Sequence, residues 1–359
     1  MRKLATVREI NWITPIAGAD RIELAKIDGW QVVVQKDKYL PGDEVIFCEI
    51  DSALPVDNPG IDPTGDLAKR GVKTANGKRY HIVKTVKLRK TLSQGLILPV
   101  DLLKPRTIWE HVKYGFGGKP YTVGEDVTER LGILKYDRWA EPWAKPAKNG
   151  NPRKPGQRDP NIIGEFPRDL AQKSDSERVQ NLGKYWPEIV KHEWIVTEKI
   201  DGQSITIGKT GGKLRIASRN YEIKEHPALE WAIDHGIGDT LNDGEAIQGE
   251  WAGPGVQGNR LGLDENQLFV FSFFKDGRRT AIPPLSGIPS VPVIDSFDVD
   301  EIPTPDELIE YADGLKSRIN KDRLAEGIVL HEKMDNGFDF LGGRANFKAI
   351  SNKYLLKEK

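Results

Sequence analysis

The sequence predicts an α+β chain in which a small β-barrel precedes a larger unit of mostly antiparallel strands with few helices. Two observations carry this. Short β-branched and aromatic runs separated by turns recur about five times in the first ~100 residues, the pattern of a small barrel for which an oligonucleotide-binding (OB) fold is a candidate. After a proline-rich interruption, strand signals resume at Trp194 and continue almost to the end.

In chain order, Trp30–Val34 reads as a strand, Leu40-Pro41-Gly42-Asp43 as a turn and Glu44–Ile50 as the next strand. His81–Leu88 alternates apolar with polar or basic residues, as a half-exposed strand does, and Gly95–Pro99 supplies another. Between Asp137 and Asp169, Pro142, Pro146, Pro152, Pro155, Pro160 and Pro167 interrupt regular structure, with Trp139 and Trp143 among basic residues; this predicts a linker or extended arm. Asp175–Leu182 opens with a capping residue and predicts the start of a helix. The strands that follow are Trp194–Glu198, Ser204–Gly208, Leu214–Ala217, Ala246–Trp251 and Leu268–Phe274. A helix at Pro305–Asn320 then precedes the strand Gly327–His331.

Lys plus Arg and Asp plus Glu each number 53, so the net charge is zero, and 38% of residues are hydrophobic. A zero sum does not exclude a nucleic-acid partner, because binding follows how charge is clustered. Lys84, Lys87, Arg89 and Lys90 lie close together, as do Lys145, Lys148, Arg153, Lys154 and Arg158, whereas acidic residues gather at Asp298–Glu310. The single cysteine, Cys48, excludes an internal disulfide and a cysteine-based zinc cluster, and reads as a buried strand residue. No apolar run is long enough to span a bilayer and no signal peptide opens the chain, so the expected location is the cytoplasm.

Lys199-Ile200-Asp201-Gly202 lies between two strands. A lysine attacks an α-phosphate only as the free amine, and its reference pKa is about 10.4, so a nucleophilic lysine must sit where burial, a neighbouring positive charge or a metal favours the neutral form. Alone, this tetrapeptide reads as a turn carrying an exposed charge. Its company changes the reading: Ser218-Arg219-Asn220, Gln248-Gly249-Glu250-Trp251, the aromatic run Phe269–Phe274, Glu326-Gly327-Ile328-Val329 and Asn346-Phe347-Lys348-Ala349 follow in order.

In order and spacing these segments resemble motifs I, Ia, III, IIIa, IV and V of the covalent nucleotidyltransferases, the ATP-dependent ligases and mRNA-capping enzymes. The first hundred residues narrow the resemblance. Gly18–Ala25, Gly29-Trp30, Glu49–Pro55, Leu88-Arg89 and Ser93–Leu96, with Arg178–Leu182 further on, are similar to the Deinococcus/Naegleria-type nick-sealing RNA ligases. That resemblance implies an OB-fold domain over residues 1–105, a linker or arm over 106–168, and an adenylation domain over 169–359 with an ATP-grasp-like antiparallel sheet.

It also implies roles. Lys199 is the nucleophile that takes AMP from ATP, with Asp201 managing water on a divalent metal beside it. Arg219 contacts ribose or a 5′-phosphate. Glu250 binds the ribose or the catalytic metal, and Glu326 is an oxygen ligand for Mg2+ or Mn2+, the hard cations that carboxylates suit. Phe271 and Phe273 share a face by strand alternation, and Phe273 is the expected adenine stacker. Glu198, Ile200 and Gly202 line the nucleotide, Arg178 serves the ATP phosphates, and Lys348 holds the α-phosphate. Lys84, Lys87 and Arg89 are the expected contacts to nucleic-acid phosphates. The implied partner is RNA, or an RNA-containing duplex, with 3′-OH and 5′-phosphate ends, acted on by a monomer. One departure from the family pattern falls at motif V. Asn346 and Ile350 flank Lys348 where many relatives carry a second basic residue, leaving Arg344 or Lys353 as substitutes.

Two other readings of the sequence compete. One is a DNA ligase or capping-type guanylyltransferase on the same core, in which an OB module follows the catalytic domain instead of preceding it. The other is a nonenzymatic OB-fold RNA-binding protein, against which stands the presence of Lys199, Glu250, Glu326 and Lys348 together.

Overall fold

Period-two alternation builds the N-terminal strands: in β3 (Ile22–Ile27) and β4 (Trp30–Gln35) every second side chain is buried. The computed structural model describes residues 3–62, 65, 67–104, 120–136, 159–283, 285 and 287–356, and the chain divides into two units, Met1–Gln157 and Arg158–Lys359. In the first unit β2 (Trp12–Pro15) joins β3 and β4, and β1 (Ala5–Glu9) joins β5 (Glu44–Cys48) and β11 (Leu96–Pro99). A four-stranded sheet contains β6 (Ser52–Pro55), β7 (Lys73–Ala75), β8 (Lys78–Ile82) and β12 (Leu134–Lys135), and β9 (Val86–Leu88) pairs with β10 (Thr91–Ser93). Leu40–Asp43 turns as expected: Gly42 has φ +89°, and the Asp43 amide donates to the Leu40 carbonyl at 3.1 Å.

The core of this unit gathers Val7, Ile46, Cys48, Leu54 and Leu98 with Val127, Leu131 and Ile133. The last three lie in the stretch the sequence leaves as an arm. They pack here because the Val127 amide donates to Ala5 O at 2.9 Å and Thr128 Oγ1 accepts from the Leu4 and Ala5 amides at 3.0 Å. The expected strand His81–Leu88 is two strands, β8 and β9, separated by residues 83–85. The proline-rich stretch with Pro142, Pro146, Pro152, Pro155, Trp139 and Trp143, and the second basic cluster Lys145–Arg158, fall outside the described residues.

Two sheets form the second unit. The larger has the order β13 (Ile162–Glu165), β18 (Tyr221–Ile223), β17 (Lys213–Ser218), β16 (Gln203–Thr210), β19 (Glu245–Ala252), β20 (Gln267–Lys275) and β21 (Arg278–Thr280). The smaller has the order β14 (Glu177–Arg178), β24 (Asn346–Ile350), β23 (Gly327–Glu332), β15 (Trp194–Lys199) and β22 (Val293–Phe297). β14 runs parallel to β24, and the other pairings within these two sheets are antiparallel.

The helix Pro305–Gly314 buries Leu308, Ile309 and Ala312 against Val196, Ile328, Leu330 and Phe347 of the smaller sheet. Thr304 and Glu307 form a reciprocal capping box, with Pro305 in the first turn, so the start is strongly specified. Trp194 and Phe347 meet edge to face at 4.8 Å in the same core, a contact worth about 0.5–1.5 kcal/mol beyond its burial. The helix stops at Gly314 instead of Asn320: Leu315 is already extended, and Lys316 pairs with Leu324 further on.

The helix expected at Asp175–Leu182 is absent; the segment forms β14 and a single 3-10 turn at Val179–Asn181. Glu177 Oε1 accepts from the Arg178 amide and the Asn181 side chain, both at 2.8 Å, and strand pairing with Phe347 and Lys348 takes up the backbone that a helix would need. No helix among the described residues is long and apolar enough to cross a membrane.

Candidate active site

Strand register decides which side chains meet. Thr197 on β15 faces Val329 on β23, Val329 faces Lys348 on β24, and Lys348 faces Arg178 on β14. Directly paired residues share a face, so this row stands on one side of the smaller sheet, joined by Lys199 two residues beyond Thr197. Val196, Ile328, Phe347 and Ala349 take the other side and fill the core under the helix Pro305–Gly314.

Lys199 ends its strand opposite Gly327, where a Cβ would come within 2.2 Å of Ala349 O. Glu326 immediately precedes that glycine, and its Oε2 accepts from Lys199 Nζ at 2.6 Å. The chain then turns through Ile200, Asp201 and Gly202 and passes directly over β19. A Cβ on Gly202 would stand 2.3 Å from Trp251 O and 2.9 Å from Glu250 Cγ, so only glycine allows the approach. Gln257 Nε2 donates to Gly202 O at 3.1 Å and pins the turn.

The electrostatics of this cluster correct one expectation. Burial alone would push the Lys199 amine toward its neutral form, but the fields of Glu326, Glu250 and Asp201 outweigh it and hold Lys199 above its ordinary value. The same crowding acts on the acids. Burial, against the opposing pull of Lys199 and with Glu326 adding to it, pushes Glu250 up to about 7. Burial likewise raises Glu326, with Lys199 and Lys348 pulling the other way and Asp201 adding to the rise. The site is thus a half-buried set of carboxylates crowded around Lys199, with Lys348 and Arg219 acting at its margins, an arrangement typical of functional centres.

Arg219 follows β17 and forms a close ion pair with Asp175, and its charge also acts on Glu250. Next to Asp175, Ser176 Oγ donates to Asn346 Oδ1 at 2.6 Å. The segment before β14 therefore ties Arg219 to β24, the strand that carries Lys348.

The comparisons with known proteins agree with this geometry. A family model described as an OB-fold domain matches residues 4–100, and one described as RNA ligase matches residues 192–350. The structure of Naegleria gruberi RNA ligase with PPi is 31% identical, with TM-score 0.77 over 99% of this chain and 98% of that one. The chain belongs to the RNA ligase family. A glutamate-to-alanine mutant of the Naegleria enzyme with AMP and Mn is 32% identical with TM-score 0.77, covering 100% of both chains. A lysine-to-alanine mutant with ATP and Mn is 31% identical with TM-score 0.76, covering 99% of this chain and 100% of that one. Comparison with curated proteins gives no match. The architecture is thus an OB-fold domain followed by an RNA ligase domain of the α+β class.

The ligase site departs from sequence reasoning at Phe273. Gln248 pairs with Ser272 but Gly249 with Val270, so Phe271 is the extra residue of a β-bulge and the strand changes face there. Phe273 therefore pairs with Ile247 and is buried in the cluster of Ile205, Ile207, Leu268 and Val270, on the face opposite Gln248 and Glu250. Phe269 is buried with Ile200, Ala252 and Leu261, and Phe274 with Phe166 and Leu170. Of the four, Phe271 alone is half-exposed. A bulge leaves no mark in an apolar run, so alternation pointed to the wrong ring.

Ile200 is a packing residue behind the turn. Glu198 faces away from Lys199; its Oε2 accepts from the Arg318 amide at 2.7 Å, its own amide donates to Pro292 O, and burial raises its carboxyl. At motif V, Arg344 donates to Leu341 O at 3.3 Å and Lys353 is exposed. Arg178, buried across from Lys348 on the same face, is the basic group placed beside it. In the OB-fold domain Lys84, Lys87, Arg89 and Lys90 are all exposed. Arg89 and Lys90 form the two-residue loop between β9 and β10 with φ +50° and +66°, conformations usually given to Asn-Gly.

Residues that sequence reasoning passed over as parts of the site are Asp175, Gln257, Arg260 and Tyr354. Each acts through a loop contact or an irregularity that no local pattern encodes.

Proposed function

We propose that this ligase consumes ATP and joins 3′-OH and 5′-phosphate RNA ends, at nicks in duplexes, through AMP carried on Lys199. The observation that carries the reading is the half-buried Lys199 Nζ held 2.6 Å from Glu326 and under the charge of Glu250 and Asp201.

In the first step Lys199 Nζ gives up a proton and bonds to the α-phosphorus, while the bond from that phosphorus to the pyrophosphate oxygen breaks. AMP then passes to the oxygen of a 5′-phosphate, freeing Lys199, and a 3′-OH finally displaces AMP to form the phosphodiester. Each step is an in-line transfer, so the protein's work is positioning and charge neutralisation. Lys348 with Arg178 beside it neutralises the α-phosphate. Arg219, released from Asp175, meets the ribose or the incoming 5′-phosphate, and Phe271 stacks on adenine.

Among the described residues no group of three His, Cys, Asp or Glu side chains makes a closed metal cage. Two converging carboxylates, Glu250 and Glu326, nonetheless fit an Mg2+- or Mn2+-type site, which takes one or two protein oxygens and completes its shell with water and phosphate. A divalent cation held there would offset the carboxylate field that keeps Lys199 protonated and would draw charge from the α-phosphate. Lys84, Lys87 and Arg89 are proposed to touch nucleic-acid phosphates, which makes binding salt-sensitive.

Incubation with labelled ATP tests the reading: a covalent AMP adduct should form and should vanish in Lys199→Ala. Nicked duplexes differing only in ribose or deoxyribose at the 3′-OH terminus test the substrate. Equal sealing of all-DNA nicks favours the DNA ligase alternative, and an adduct formed with GTP alone sinks the ligase reading.

A further inference from the structure

We infer that Tyr354 is a positioning residue for nucleotidyl transfer, orienting Asp201, and that Arg260 holds Tyr354 in place. The inference rests on the proposed role of Lys199 and goes beyond it.

Tyr354 lies in the last described helix, Asn352–Leu356, and is buried. Its hydroxyl donates to Asp201 Oδ2 at 2.5 Å. Arg260 stacks on the ring: its guanidinium carbon lies 3.3 Å from the ring centroid, and Arg260 Nη2 donates to Tyr354 O at 2.9 Å. The helix is tied at its start, since Ser351 N donates to Glu326 O at 2.9 Å and Ser351 Oγ accepts from the Tyr354 amide at 3.1 Å. Arg260 belongs to the loop between β19 and β20, which also supplies Gln257 to Gly202. One loop therefore grips the Lys199 turn twice, directly at Gly202 and through Tyr354 at Asp201.

An unrestrained Asp201 carboxylate has somewhere else to go. Its negative charge already acts on Lys199, and a freed carboxylate could swing onto the ammonium. The Tyr354 hydroxyl satisfies Oδ2 and keeps the carboxylate turned to the side, where it can order water without capturing the nucleophile. Tyr354 touches no reacting atom in this scheme and acts through Asp201.

The test compares Tyr354→Phe, Asp201→Asn and the double variant of the full chain, following single-turnover formation of the covalent AMP adduct. Removing only the hydroxyl keeps the ring on Arg260, so the fold should persist with a melting temperature close to wild type. Adduct formation in Tyr354→Phe should slow by about 10- to 100-fold, while half-saturating ATP moves by less than about 3-fold. In the Asp201→Asn background the same change should cost less than about 3-fold, because residues acting as a unit are not additive. Arg260→Gln, which unstacks the ring but leaves the hydroxyl, should give an intermediate loss. Wild-type rates in Tyr354→Phe, or a full multiplicative loss on top of Asp201→Asn, would overturn the inference. Failure of the underlying function reading has a different signature, an adduct that survives Lys199→Ala.

Discussion

Glu326, the residue preceding the neighbouring strand, accepts from the Lys199 ammonium at 2.6 Å, so the proposed nucleophile is held in its charged form by the carboxylate proposed to hold the metal. If Glu326 were only a counter-ion, its removal would free the amine and speed adduct formation. The expected outcome is the reverse. Glu326→Gln should slow adduct formation by roughly 100-fold or more, at every Mg2+ or Mn2+ concentration tested, because the cation site goes with it. Single-turnover labelling with ATP decides between the two.

The bulge at Phe271 separates two neighbouring aromatic residues by consequence. Phe273→Ala empties a packed cluster and should cost about 3–5 kcal/mol of stability with ATP half-saturation little changed in whatever folds. Phe271→Ala should leave stability nearly intact and raise the ATP concentration needed for half-maximal labelling by about 10-fold or more. Denaturant melts and ATP titrations of the two variants measure this directly, and the opposite pattern would restore Phe273 to the nucleotide.

Asp175 occupies Arg219 through a partly exposed ion pair, which is worth only about 0.2–1 kcal/mol. Breaking it in advance should therefore help substrate modestly. Asp175→Asn is expected to lower the half-saturating concentration of 5′-phosphorylated strand by no more than about 5-fold. A weaker substrate interaction would show that Asp175 orients Arg219 instead of competing for it.

His331 is pushed down to about 3 by burial and by Arg279, whose guanidinium lies 3.0 Å from Nδ1. A folded-state pKa below the unfolded value of about 6.5 means stability that is present above pH 6.5 and is lost as pH falls toward the folded value. His226, pushed down to about 4 by burial, acts in the same direction. Wild type should lose about 1–2 kcal/mol more than His331→Gln between pH 7 and pH 5, read by chemical denaturation at each pH.

How much was legible follows from what local pattern encodes. Strands such as Trp30–Gln35, Glu44–Cys48 and Trp194–Lys199 were readable because alternation and β-branching are local. The Lys199–Gly202 segment was readable through the order of its partners, and the structure brings Lys199, Asp201, Glu250, Glu326, Arg219 and Lys348 into one electrostatic neighbourhood. The Asp175–Leu182 segment misled because its capping residue Asp175 pairs with Arg219 and its backbone pairs with β24, both partners far along the chain. Phe273 misled because one inserted residue reverses a strand's faces without changing its composition. Tyr354 was invisible, since nothing in its helix announces a contact to Asp201 made across the chain.

Cys48 sits fully buried in the OB-fold core, and burial, with the adjacent Glu49 charge, pushes its thiol well above the ordinary range. A protonated, enclosed thiol does not react with alkylating reagents. Modification then requires the domain to open, so the labelling rate of this one native thiol is a clock for barrel breathing. With no second cysteine to confuse it, the unaltered ligase carries its own reporter of that domain's opening.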